Sequence, residues 1–180
     1  SLGDISRGNY SPSHLGTMLE TIPAGATSSL DEIGTTNAGR TAPGDTGYTS
    51  DNLSWMVEQI TAGAVESLGG IIMQDYSSDN LSTMVEKITG GAVSALGEIS
   101  MSGYNADDLE EMVAKITEGA VSAIDEISIR DYDVNSYSNV VRGIASGATS
   151  ALGRISMTDF DSNKVPGLVE KISTLSLIHI

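Results

Sequence analysis

The chain has 180 residues, 39% hydrophobic but only 4% aromatic, so its core must be assembled from Leu, Ile, Val, Met and Ala. Its 24 acidic against 9 basic residues give a net charge of −15, and such a surface repels phosphate backbones and anionic lipid, which argues against nucleic acid as a partner. Cysteine is absent, excluding disulfides and thiolate metal sites, and no apolar run reaches the ~18 residues that a membrane-inserted helix needs.

Taken in chain order, residues 1–9 match the tail of a repeat, with Leu2 and Ile5 at the positions that Leu68 and Ile71 hold later. The unit 10–47 carries a helical pattern from Leu15 behind Tyr10, then a Gly/Thr/Pro-rich stretch from Gly34 to Gly47 that reads as a surface loop. Units 48–75, 76–103, 104–131 and 132–159 follow at a constant step of 28, marked by Tyr48, Tyr76, Tyr104, Tyr132 and Phe160. The last unit, 160–180, is incomplete.

Within each unit the apolar positions recur at helical spacing. In the unit 76–103 they are Leu81, Met84, Val85, Ile88, Ala92, Ala95, Leu96 and Ile99, one face of an α-helix without a phase break. Helices are predicted near 14–33, 52–70, 80–98, 108–126 and 136–154. Ser13, Asp51, Asp79, Asp107, Asn135 and Asn163 precede the pattern and are the expected N-caps. The fold class is therefore all-α: a tandem array or solenoid of amphipathic helices of ~20 residues.

Gly63, Gly91, Gly119 and Gly147 fall mid-helix, each with Ala or Ser four residues on. Glycine there costs about 1 kcal/mol relative to Ala, so an offsetting gain is expected, namely close approach of a second helix. The competing reading is a break into two short helices. A further alternative has the segment after Ile99 returning as an extended strand, as in an α/β solenoid, because Leu96, Ile99, Met101 and Tyr104 superficially resemble a leucine-rich repeat. The tyrosine series is expected to staple each loop onto the neighbouring helix, the alternative being a ladder of exposed aromatics for binding.

Chemistry has few footholds. His14 and His179 are the only histidines, and one His in a first helical turn assembles no Ser-His-Asp arrangement, so an enzyme is not expected. Asp131, Asp133 and Asn135, and again Asp159, Asp161 and Asn163, have the 1, 3, 5 spacing of a calcium loop. Ser136 and Lys164 stand where such a loop needs Gly, and Arg142 replaces the closing Glu of the first. An Asp/Asn turn leading into a helix is the favoured reading, with a calcium-responsive module the alternative. Trp55 occurs in one unit only and is the candidate contact residue on the surface.

The stretches Met-Val-Glu-Lys-Ile-Thr-x-Gly-Ala and Ala-Leu-Gly-Glu-Ile are similar to tandem helical repeats of uncharacterised bacterial proteins, exported ones among them. That resemblance implies no catalytic residue and no cofactor. It fits a non-enzymatic structural or protein-interaction array at the cell exterior or envelope, self-association included, or the scaffold region of a larger enzyme. Residues 175–180 resemble a translated sequencing adaptor, and Leu175 stands where the complete units have Gly. Poor packing is expected there.

Overall fold

A computed structural model describes residues 12–35, 49–70, 77–99, 106–127, 134–155 and 165–178. Six α-helices account for nearly all of them: α1 Pro12–Thr35, α2 Ser50–Glu66, α3 Ser78–Ala95, α4 Ala106–Glu126, α5 Val134–Leu152 and α6 Val165–Ile178. No strand occurs among the described residues. The extended return after Ile99 falls on 100–105, outside them, as do the tyrosine series and Phe160.

The helices begin about two residues earlier than the apolar pattern suggests, which corrects the caps. Thr49 caps α2, its hydroxyl accepting from the Asn52 amide, and Ser77 caps α3 in a reciprocal capping box with Asn80. Asp51 and Asp79 lie inside the first turn, where a carboxylate favours the positive helix end without capping it. Ser13, Asp107 and Asn135 are likewise the second residues of α1, α4 and α5, and Asn163 lies outside the described residues. Pro166 is the second residue of α6, where its missing N–H costs little. After α2 and α3 the chain tightens into 3-10 turns, Ser67–Gly70 and Leu96–Glu98, a common way of ending a helix.

The helix-break reading fails. α3 runs unbroken through Gly90 and Gly91, α4 through Gly119 and α5 through Gly143 and Gly147. The cause is packing: each helix lies mainly against the helix two places away in sequence, α1 on α3, α2 on α4 and α3 on α5, while α6 touches both α4 and α5. Two layers result, one of α1, α3 and α5, the other of α2, α4 and α6.

The core lies between these layers and shows their directions. One buried cluster joins Leu15 and Leu19 of α1, Leu81 and Ile88 of α3, and Val140 and Ile144 of α5 to Val65, Leu68, Val121 and Ile124. N-terminal halves of the odd helices thus meet C-terminal ends of the even ones. The second cluster reverses the roles, joining Leu53, Val57, Leu109, Ile116, Leu168 and Ile172 to Leu30, Leu96 and Leu152. The two layers are therefore antiparallel to each other.

Three threonines interrupt the apolar core at one repeat position. Thr61, Thr89 and Thr117 are fully buried, and each hydroxyl donates to the carbonyl four residues back, at 2.8, 2.8 and 2.9 Å. Each polar group is satisfied within its own helix, and the carbonyl keeps its place in the backbone ladder. Thr89→Val should therefore change the unfolding free energy by less than about 1 kcal/mol, as measured in urea. A larger loss would show that the hydroxyl does more than satisfy itself.

Candidate functional site

The most regular feature of the molecule is the seam between helices of one layer. A Cβ placed on Gly91 of α3 would sit 2.2 Å from the Glu20 carbonyl oxygen of α1. On Gly147 of α5 it would meet the Glu86 oxygen of α3 at 2.2 Å, and on Gly119 of α4 the Glu58 oxygen of α2 at 2.6 Å. Gly143 adds a fourth such approach, its Cβ falling 2.5 Å from the Ser82 oxygen. These backbones touch because no side chain stands between them, and the expected close helix contact is present. The receiving glycine always stands five repeat positions beyond the residue it covers, the same step that separates Glu86 from Gly91 within one helix. A constant step of one sign means that helices within a layer run parallel.

The glutamates serve the seam twice, by backbone and by side chain. Lys87 Nζ lies 3.1 Å from Glu20, which also meets Arg154 at 3.4 Å. Lys115 pairs with Glu58 at 3.4 Å and with Glu118 at 2.9 Å, and Lys171 reaches Glu110 at 3.3 Å. Ser82 Oγ donates to the Asn139 carbonyl at 2.7 Å, and Ser146 Oγ to Glu86 at 3.2 Å. The hydrogen bond to Glu118, with both carboxylates adding and burial opposing, holds the Lys115 ammonium above the usual lysine range. Its contribution is complete below the ordinary lysine pKa and fades only as pH rises through the higher folded value. The seam is thus insensitive to this group at neutral pH.

Along the outer side of each layer the seams form open grooves. One, about 460 Å³, is lined by Asp107, Glu110, Glu111, Glu118, Lys115 and Lys171. The other, about 320 Å³, has Asp79, Glu86, Asn139 and Arg142 on its walls. Acidic side chains dominate the first, yet among the described residues no three His, Cys, Asp or Glu converge to hold a metal ion.

Of the calcium-loop candidates, only Asn135 is among the described residues; it is exposed at the start of α5. Asp131, Asp133, Asp159, Asp161 and Asn163 fall outside them. Trp55 is exposed to 57%, as its solitary occurrence suggested, and His14 is exposed near the start of α1. The helix α6 continues through Leu175 to Ile178, while the packing expected of side chains 175–180 lies outside the described residues. No helix is long and apolar enough to cross a membrane among the residues described.

Two features escape a reading of the sequence. Glu20, Glu58 and Glu86 as partners of glycines two units on had a signal, the five-residue Glu-to-Gly step in those three copies, but nothing in one copy tells which neighbour it meets. Ile22, exposed to 46%, occupies the position at which Ile88, Ile116, Ile144 and Ile172 are buried. No family model and no curated protein matches the chain.

Proposed function

We propose that this chain is a non-enzymatic, tandem helical array with a structural or protein-interaction role, built to be part of a larger surface or envelope protein. The observation that carries it is the threefold recurrence of one seam, Gly91 on Glu20, Gly119 on Glu58 and Gly147 on Glu86. A catalytic domain concentrates unlike residues in one place; here equivalent residues recur at equivalent places. In such an array stability is roughly a sum of unit and neighbour terms, so units open from the ends.

Native-state hydrogen exchange on the whole chain tests this. Amides of α3 and α4 should show the highest opening free energies, with α1 and α6 opening well below them. Equal protection of all six helices would remove the array reading in favour of one all-or-none domain.

The calcium-responsive module is separated from this reading by a thermal melt. Calcium should raise Tm no more than magnesium does at equal ionic strength. A saturable, calcium-specific rise that disappears in the Asp131→Ala, Asp159→Ala double variant would put the calcium module first.

A further inference from the structure

One position of the repeat carries a lysine in three helices and a glycine in the fourth. At steps of 28 stand Lys87 of α3, Lys115 of α4, Gly143 of α5 and Lys171 of α6. Each lysine crosses its seam to a glutamate of the preceding helix in the same layer. Lys87 reaches Glu20 at 3.1 Å, Lys115 reaches Glu58 at 3.4 Å and Lys171 reaches Glu110 at 3.3 Å. The seam between α3 and α5 keeps the carboxylate but lacks the cation. Glu86, the equivalent of Glu20 and Glu58, is half-buried, and Ser146 Oγ donates to its Oε1 at 3.2 Å. No described residue pairs with its Oε2.

The spacing of the helices explains the missing lysine. A Cβ on Gly143 would fall 2.5 Å from the Ser82 carbonyl oxygen and 2.6 Å from its hydroxyl oxygen. No lysine fits there while α5 lies this close to α3. Lys87, by contrast, passes over Gly16, whose Cβ would meet the lysine Cγ at an ordinary 3.7 Å. Glycine thus brings α5 in and removes the counter-ion of Glu86. Beside Gly143 remains the open groove of about 320 Å³ on the outer face of the layer. Its charged walls are Asp79 and Glu86 against Arg142, a surplus of one negative charge, and Arg142 forms an ion pair with neither carboxylate. Both helices that form the groove, and the glutamate and glycine that face each other across it, lie inside the array.

We propose that this groove is a binding site for a primary alkylammonium group, held by Glu86 with Asp79 where the other seams hold their own lysine. The three occupied seams specify the ligand: an ammonium on an aliphatic stem, laid along one helix and received by a carboxylate of the next. Acidic residues alone would not choose among cations, whereas the occupied copies do. Two sources share this chemistry, a free alkylamine and the lysine side chain of another protein. Such a ligand goes beyond the structural role proposed above. The ion pair stays open to solvent on one side, so binding is weak.

Titration of the isotope-labelled whole chain with n-butylammonium chloride, at neutral pH and constant ionic strength, tests the site through NMR amide shifts. Saturable shifts should centre on residues 82–87 and 139–147, with a Kd of roughly 1–10 mM. Glu86→Gln should weaken binding by about tenfold or more, through loss of the charge-assisted hydrogen bond. Glu58→Gln, in a seam that has its lysine, should leave the affinity unchanged. Amide spectra like the parent's outside the altered seam show that each variant folds. Tetramethylammonium, a cation without an N–H to donate, should produce no saturable shift. A capped tripeptide with a central lysine separates the two sources. Binding as tight as that of butylammonium, or tighter, identifies a partner's lysine, and weaker binding identifies a free amine. Shifts that never saturate, an equal response to tetramethylammonium, or an affinity indifferent to Glu86→Gln would each overturn the proposal.

Discussion

Gly147→Ala should destabilise the protein by about 2–3 kcal/mol, although alanine is the better helix former by about 1 kcal/mol. The added Cβ would sit 2.2 Å from the Glu86 carbonyl oxygen, with the carbonyl carbon at 3.0 Å. Backbone cannot swing aside as a flexible side chain can, so α5 must lift away from α3. That movement loosens Val140 and Ile144 from the cluster they share with Leu81 and Ile88. Gly63→Ala, at the same repeat position in α2, should do the opposite. Nothing lies within 4 Å of its Cβ, so the propensity gain stands alone and stability should rise by about 0.5–1 kcal/mol. Urea midpoints of the two variants against the parent decide the matter. Changes of the same sign would mean that the seam is not what makes glycine necessary.

A second pair of equivalent residues should also part company. Ile116→Ala is expected to cost about 2–5 kcal/mol, since it deletes three buried carbons from a packed site. Ile116 is fully buried, in the cluster it shares with Leu53, Val57 and Met112. Ile22→Ala should cost less than about 1 kcal/mol, because the side chain is already 46% exposed and alanine recovers helix propensity. Chemical denaturation in dilute solution reads both. If the two losses are similar, Ile22 is covered in solution by something other than its own chain's helices.

These pairs show where the sequence was legible. Apolar spacing of three and four placed all five expected helices, because that spacing is a property of one helix and its own core-facing side. Mid-helix glycine could be read as close approach or as a break. The close approach prevailed because α3, α4 and α5 each have a carbonyl to lay in the gap. Which helix supplies that carbonyl was not legible, since every residue has a backbone carbonyl and the glycine of one copy could meet any other copy. For the same reason Ile22 and Ile116 look alike in sequence; only position in the stack separates them. The caps were misread by two residues because Asp51 and Asp79 are as good an N-cap in composition as Thr49 and Ser77, and geometry alone chooses. Trp55 was readable as exposed because a residue that appears in one copy cannot belong to what the copies share.

Skipping a neighbour also bears on how quickly the chain folds. Helical proteins usually fold fast, since most of their contacts join residues close in sequence. Here the interactions that tie a layer together span 60 residues from Ser146 to Glu86, 61 from Lys171 to Glu110 and 67 from Lys87 to Glu20. Each closes a long loop before its own packing can compensate, and the intervening helix must wait unpartnered on one side. The described helices are thus tied together by contacts far apart in sequence, and the chain should fold more slowly than helical bundles of similar length whose contacts are mostly local.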